Sequence, residues 1–100
     1  MLQIPDVKEI FMYPKPVPMN WGEKKLLQVC REEMGLDPVD GWVFLFFNRK
    51  QDQLKIFFLD ENGSQQFTKL LPNSRFLLPV AQECEKFVRI DQKKIDSLFR

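Results

Sequence analysis

The chain contains no histidine, so its chemistry would have to come from carboxylates, thiols or basic side chains. Three of Asp37, Asp40, Asp52 and Asp60 could converge to hold a magnesium ion and activate water, as in nucleases. Their spacing specifies no such site, and each stands where a turn favours a short polar side chain. Cys30 and Cys84 lie far apart. They lack the four ligands of a structural zinc site and the base that activates a nucleophilic thiol. Both read as ordinary reduced thiols, Cys30 on an apolar helix face and Cys84 more exposed between Glu83 and Glu85. Four scattered glycines make no phosphate-binding loop. The expectation is a protein that is not an enzyme, with no cofactor and no metal.

Binding is the remaining class. Lys and Arg number 15 against 14 Asp and Glu, a formal charge of +1, so a nucleic-acid surface would need uneven distribution. The candidates are Arg49 and Lys50, adjacent in the polar interruption RKQD (49–52). Lys55, Lys69 and Arg75 join them if the fold brings all five to one face. Trp21 is a candidate of another kind. It follows the proline-rich PKPVPMN (14–20) at a helix start, where a Trp serves either as an interface anchor or as a staple folded onto the core.

The elements that must position these residues follow from periodicity. VKEIFMY (7–13) reads as a strand. In PKPVPMN, alternate prolines cannot donate backbone hydrogen bonds, which predicts an extended surface segment, a stiff connector or a PxxP-type ligand. A helix over about 21–34 follows, with Asn20 and Glu23 as a capping-box variant and Leu26, Val29, Cys30 and Met34 as its apolar stripe. Gly35 is placed to end it in a left-handed turn.

WVFLFFN (42–48), QLKIFFLD (53–60) and SQQFTKLL (64–71) then read as strands, separated by RKQD and by ENGS with its Asn-Gly hairpin signal. AQECEKFVRI (81–90) reads as irregular or briefly extended, and Asp91 caps a short C-terminal helix over about 91–99. The fold class is α+β: an antiparallel β-meander of about four to five strands packed with these two helices.

Along the first central strand both alternate faces are apolar, Val43, Leu45 and Phe47 against Trp42, Phe44 and Phe46. A half-solvated antiparallel sheet would alternate polar with apolar. This sheet must therefore be covered on both sides, by helices, by terminal segments or by a second subunit in a homodimer. One domain is expected from 100 residues, and 44% hydrophobic content supports a packed core. No apolar run approaches the roughly 20 residues that span a bilayer, and MLQIPDVKEI has no secretory pattern. A cytoplasmic protein without membrane contact is the expectation.

Met19 and Gly22 stand at the helix entry, GLDP at 35–38, and Gly41 with Phe44 before the hairpin. Asn48-Arg49, Asp52, Leu54 and Lys55 follow, then Asp60, Gly63, Lys69, Leu71 and Arg75-Phe76. On these features, from Met19 to Phe76 without gaps, the chain resembles the small accessory protein (TnpB-like) encoded by the second reading frame of insertion-sequence-66 transposable elements.

The resemblance implies a non-catalytic protein that assists a separate transposase, through binding to that transposase, to element DNA, or to both. Two departures bear on the DNA reading. Asn20-Trp21 stand where the family typically has an Arg-Lys pair, and Phe47, Gln51 and Gln53 fill positions that are often basic. Any DNA binding by the isolated chain is accordingly expected to be weak. The alternatives are direct DNA binding through a basic hairpin tip, or a degenerate member with no remaining transposition role.

Overall fold

The computed structural model describes residues 9–39, 41–79, 81–82, 84–91 and 93. In chain order these form β1 (Glu9–Met12), α1 (Glu23–Gln28) running on as a π-helical stretch (Val29–Glu33), β2 (Trp42–Phe47), β3 (Gln53–Asp60), β4 (Gly63–Leu70) and β5 (Val88–Ile90). The five strands make one sheet in the order β4-β3-β2-β1-β5.

The expected meander is present in β2, β3 and β4, which pair antiparallel with Leu45 opposite Ile56 and Ile56 opposite Phe67. The first strand corrects the all-antiparallel expectation. β1 lies parallel to β2, with Ile10 opposite Val43, and β5 closes the far edge antiparallel to β1. A parallel neighbour requires a crossover of a dozen or more residues, usually helical. The proline-rich loop and α1 supply it, so the sheet is mixed.

The helix begins later than the Asn20 cap predicts. Gly22 occupies the N-cap without a side-chain bond, and Glu23 opens the first turn. Leu26, Val29, Cys30 and Met34 form the buried stripe as expected. The exit is widened by one residue: the Met34 N–H reaches the Val29 carbonyl at 3.0 Å and the Leu36 N–H reaches that of Cys30 at 2.8 Å. Gly35 sits between them at φ +71°, a left-handed conformation that an added Cβ would strain even though open space surrounds it.

Both faces of the central strands are covered. Phe11, Phe44, Phe46 and Phe57 point to α1 and pack with Leu26, Val29, Cys30 and Met34. Ile10, Met12, Val43, Leu45, Leu54 and Ile56 point the other way, where Phe76, Leu71 and Leu78 of the segment after β4 close over them. Burial stops at the edge strand β4, where Phe67 stacks on Phe58 at 6.0 Å but stays partly exposed. The expected C-terminal helix over 91–99 falls almost entirely outside the described residues.

Candidate functional site

The proline-rich loop is fixed to the sheet along its length. The Tyr13 N–H donates to the Leu45 carbonyl at 3.0 Å and the Val17 N–H to that of Phe47 at 2.8 Å, carrying the β1–β2 alignment past the strand ends. Val17 is buried between Pro16 and Pro18, which are exposed and have no N–H to offer. At the loop's end the Lys55 ammonium donates to the Met19 carbonyl at 2.6 Å and the Trp21 carbonyl at 2.9 Å.

The opposing hairpin turn is fixed by Asn48. Its Oδ1 accepts from the Asp52 and Gln53 N–H groups at 3.1 and 3.0 Å, and its Nδ2 donates to Asp52 Oδ1 at 2.6 Å. Gln51 takes the left-handed conformation at φ +60° and donates its N–H to the Asn48 carbonyl at 3.0 Å. The turn is also tied to the chain after β4. The Gln51 carbonyl accepts from the Phe76 N–H and the Asp52 carbonyl from that of Leu71, each at 2.7 Å. Arg49 and Lys50 are left exposed at a rigid tip.

Between these two fixed segments runs an open groove of about 490 Å³. Pro16, Val17, Pro18 and Met19 form one wall; Asn48, Arg49, Lys50, Asp52 and Gln53 form the other.

The five candidate bases do not make one surface. Arg49 and Lys50 line the groove, and Arg75 is exposed one residue before the Phe76 amide that bonds to the same turn. Lys69 stands opposite Leu54 on β4, so it belongs to the sheet face away from α1. Lys55 stands opposite Phe46, on the α1 face, and is only 6% exposed.

Burial of Lys55 lowers its pKa, and the two carbonyls give back part of the lost hydration. Lys55 thus holds the loop in place and is not presented to a ligand. Lys55→Met keeps the stem but leaves the Met19 and Trp21 carbonyls without their donor. It is expected to lower stability by about 2 kcal/mol in urea unfolding, within the range for hydrogen bonds to a charged group. An unchanged unfolding midpoint would show that the clamp contributes nothing.

Trp21 is half-buried against the α1-side core, with the Lys25 ammonium 5.0 Å from its ring centroid. Its ring packs against that core and stays partly at the surface. The turn acids have local partners. Asp37 pairs with Arg31 at 2.9 Å, Asp52 bonds Asn48, and Asp60 accepts from the Asn62 N–H at 2.8 Å; Asp40 lies outside the described residues. Among the described residues no group of three or more His, Cys, Asp or Glu is placed to hold a metal, and no helix is long and apolar enough to cross a membrane. Cys30 is fully buried and its thiol is pushed up to about 12, mainly by desolvation; Cys84 is exposed.

Residue spacing places Arg49 and Lys50 at an exposed turn but does not reveal the groove they line. The signals were present in the alternate prolines and in an Asn at the hairpin entry. Their juxtaposition depends on β1 lying next to β2, which residue spacing does not reveal.

Among the described residues, a mixed five-stranded sheet crossed by one helix, with a basic hairpin tip facing alternate prolines across an open groove, defines a small α+β protein. The chain belongs to the IS66 Orf2 like protein family, which it matches over residues 8–100. That membership points to an accessory role in insertion-sequence transposition. It is also similar to the uncharacterized protein y4hO of Sinorhizobium fredii (strain NBRC 101917 / NGR234), at 38% identity over 64 residues. That match covers 64% of this chain and 56% of the relative, so the alignment spans about half the relative's length. No solved structure matches the chain.

Proposed function

We propose that the chain is a non-catalytic accessory of transposition that binds the element's transposase through the groove between the proline-rich loop and the hairpin tip. The carrying observation is the groove itself: both walls are fixed by backbone hydrogen bonds, and its lip bears Arg49 and Lys50, which have no ion-pair or hydrogen-bond partner among the described residues. A site held this way needs little ordering on binding, which favours affinity for a given contact area.

Direct DNA binding draws less support. With Lys55 buried and Lys69 on the other sheet face, few phosphate contacts are available to a chain of net charge +1.

The test is co-purification with the transposase encoded beside this chain, with and without element-end DNA. Wild type is expected to retain the transposase without DNA, and Arg49→Glu/Lys50→Glu to lose it at an unchanged melting temperature. Submicromolar, sequence-selective duplex binding by the isolated chain, with a steep salt dependence, would replace this reading with the DNA-binding one.

A further inference from the structure

We infer that the groove takes an extended peptide segment in which an apolar side chain is flanked by carboxylates. This rests on the reading of the groove as the partner surface and specifies what the partner must present there. The loop wall is poorly suited to one mode of extended-peptide capture, the addition of a strand to a sheet edge, because residues 16–18 have no free backbone N–H to donate. Pro16 and Pro18 have no N–H, and the Val17 N–H is already given to Phe47. Recognition across residues 16–18 therefore draws on side-chain packing and carbonyl acceptors, not on donated N–H groups. Alternate prolines beside Met19 provide a preset apolar surface for one hydrophobic residue.

The other wall sets the charge. Arg49 and Lys50 are exposed cations, while the acid on that wall, Asp52, is bonded to Asn48 at 2.6 Å. A carboxylate arriving at the lip meets an Arg fork and an ammonium, two cations against the single carboxylate of Asp52 among the described lining residues. Nucleic acid fits this lining poorly. Single strands are held by aromatic stacking along a basic track, and among the described residues the groove is lined by no aromatic and by two cations.

The experiment measures fluorescence polarisation of the full chain against overlapping peptides tiled along the adjacent transposase. Peptides that bind are expected to carry an apolar residue between Asp or Glu residues. Changing those acids to Asn or Gln should weaken binding by about tenfold or more, as should Arg49→Glu/Lys50→Glu in the chain. Lys24→Glu, an exposed change on α1, should leave binding unchanged.

The inference is overturned if no peptide binds, if neutralising the acids has no effect, or if a single-stranded oligonucleotide displaces the peptide with a steep salt slope. Capture of the whole transposase in parallel separates the two failures. If wild type and the double variant capture it equally, the acidic-segment inference fails and a transposase partner stands; if wild type does not capture it, the partner reading fails as well.

Discussion

Phe44→Ala is expected to lower stability by about 3–5 kcal/mol, the range for emptying a large aromatic from a packed core. Phe44 is fully buried in β2, with the Phe11 ring centroid 5.7 Å away and Phe57 opposite it on β3. The backbones of the two neighbouring strands, β1 and β3, and of α1 limit how far this site can collapse. Small domains have only about 5–15 kcal/mol in total, so the variant would stand close to unfolding at ambient temperature.

Ile56→Ala probes the opposite face, where Phe76 of the chain after β4 provides cover. It should cost about 2–5 kcal/mol. The two together test whether the sheet is buried on both sides within one chain. A loss below about 1 kcal/mol for Ile56→Ala at low protein concentration, recovered at high concentration, would mean that a second subunit supplies the cover.

Much of this core was readable from period-two alternation. Val43, Leu45 and Phe47 against Phe44 and Phe46 already required two covers, and the helical stripe from Leu26 to Met34 identified one of them. The second was not readable because Leu71, Phe76 and Leu78 lie in an irregular segment with no period to detect. Strand order was hidden for a related reason: VKEIFMY pairs equally well in either direction, and the parallel choice is imposed by the crossover.

Asn20 and Glu23 satisfy a capping pattern by spacing, yet the helix starts only at Glu23. The Lys55 clamp instead holds the Met19 and Trp21 carbonyls outside the helix, and Gly22 takes the cap. Lys55 neighbours a polar turn in sequence, where a lysine is ordinarily surface charge, yet it is buried. Its burial depends on the proline-rich loop lying over that part of β3. At the candidate site, local sequence revealed the charge at Arg49 and Lys50. The apolar wall opposite them required tertiary structure.

High pH should unfold this protein through two buried acids. The Tyr13 phenol is 5% exposed and its pKa rises from 10.0 to about 12. Desolvation is the largest cause, followed by the hydrogen bond its hydroxyl donates to Glu33 Oε1 at 2.6 Å and the charge of that carboxylate. The Cys30 thiol is fully buried and rises from 9.0 to about 12, again mainly by desolvation, with Arg31 opposing the shift. For both groups the folded state holds its proton where the unfolded chain has lost it. Their contribution is complete below pH 9 and is lost as pH rises towards 12.

Each such group removes about 1.4 kcal/mol per pH unit within its window. The combined loss by pH 12 is on the order of several kcal/mol, comparable with the whole stability of a small domain. Lys55 acts in the opposite sense: its lowered pKa makes the unfolded state the better proton binder just below 10.5, which slightly offsets the early part of the decline.

Urea unfolding at intervals from pH 8 to pH 12 should therefore show a plateau that turns downward above about pH 9 and steepens above about pH 10. Tyr13→Phe should lower stability at neutral pH through loss of the Glu33 bond, yet decline less steeply between pH 10 and 12. Cys30→Ala should remove the earlier part of the fall. Slopes identical to wild type in both variants would show that neither group is the source of alkaline unfolding.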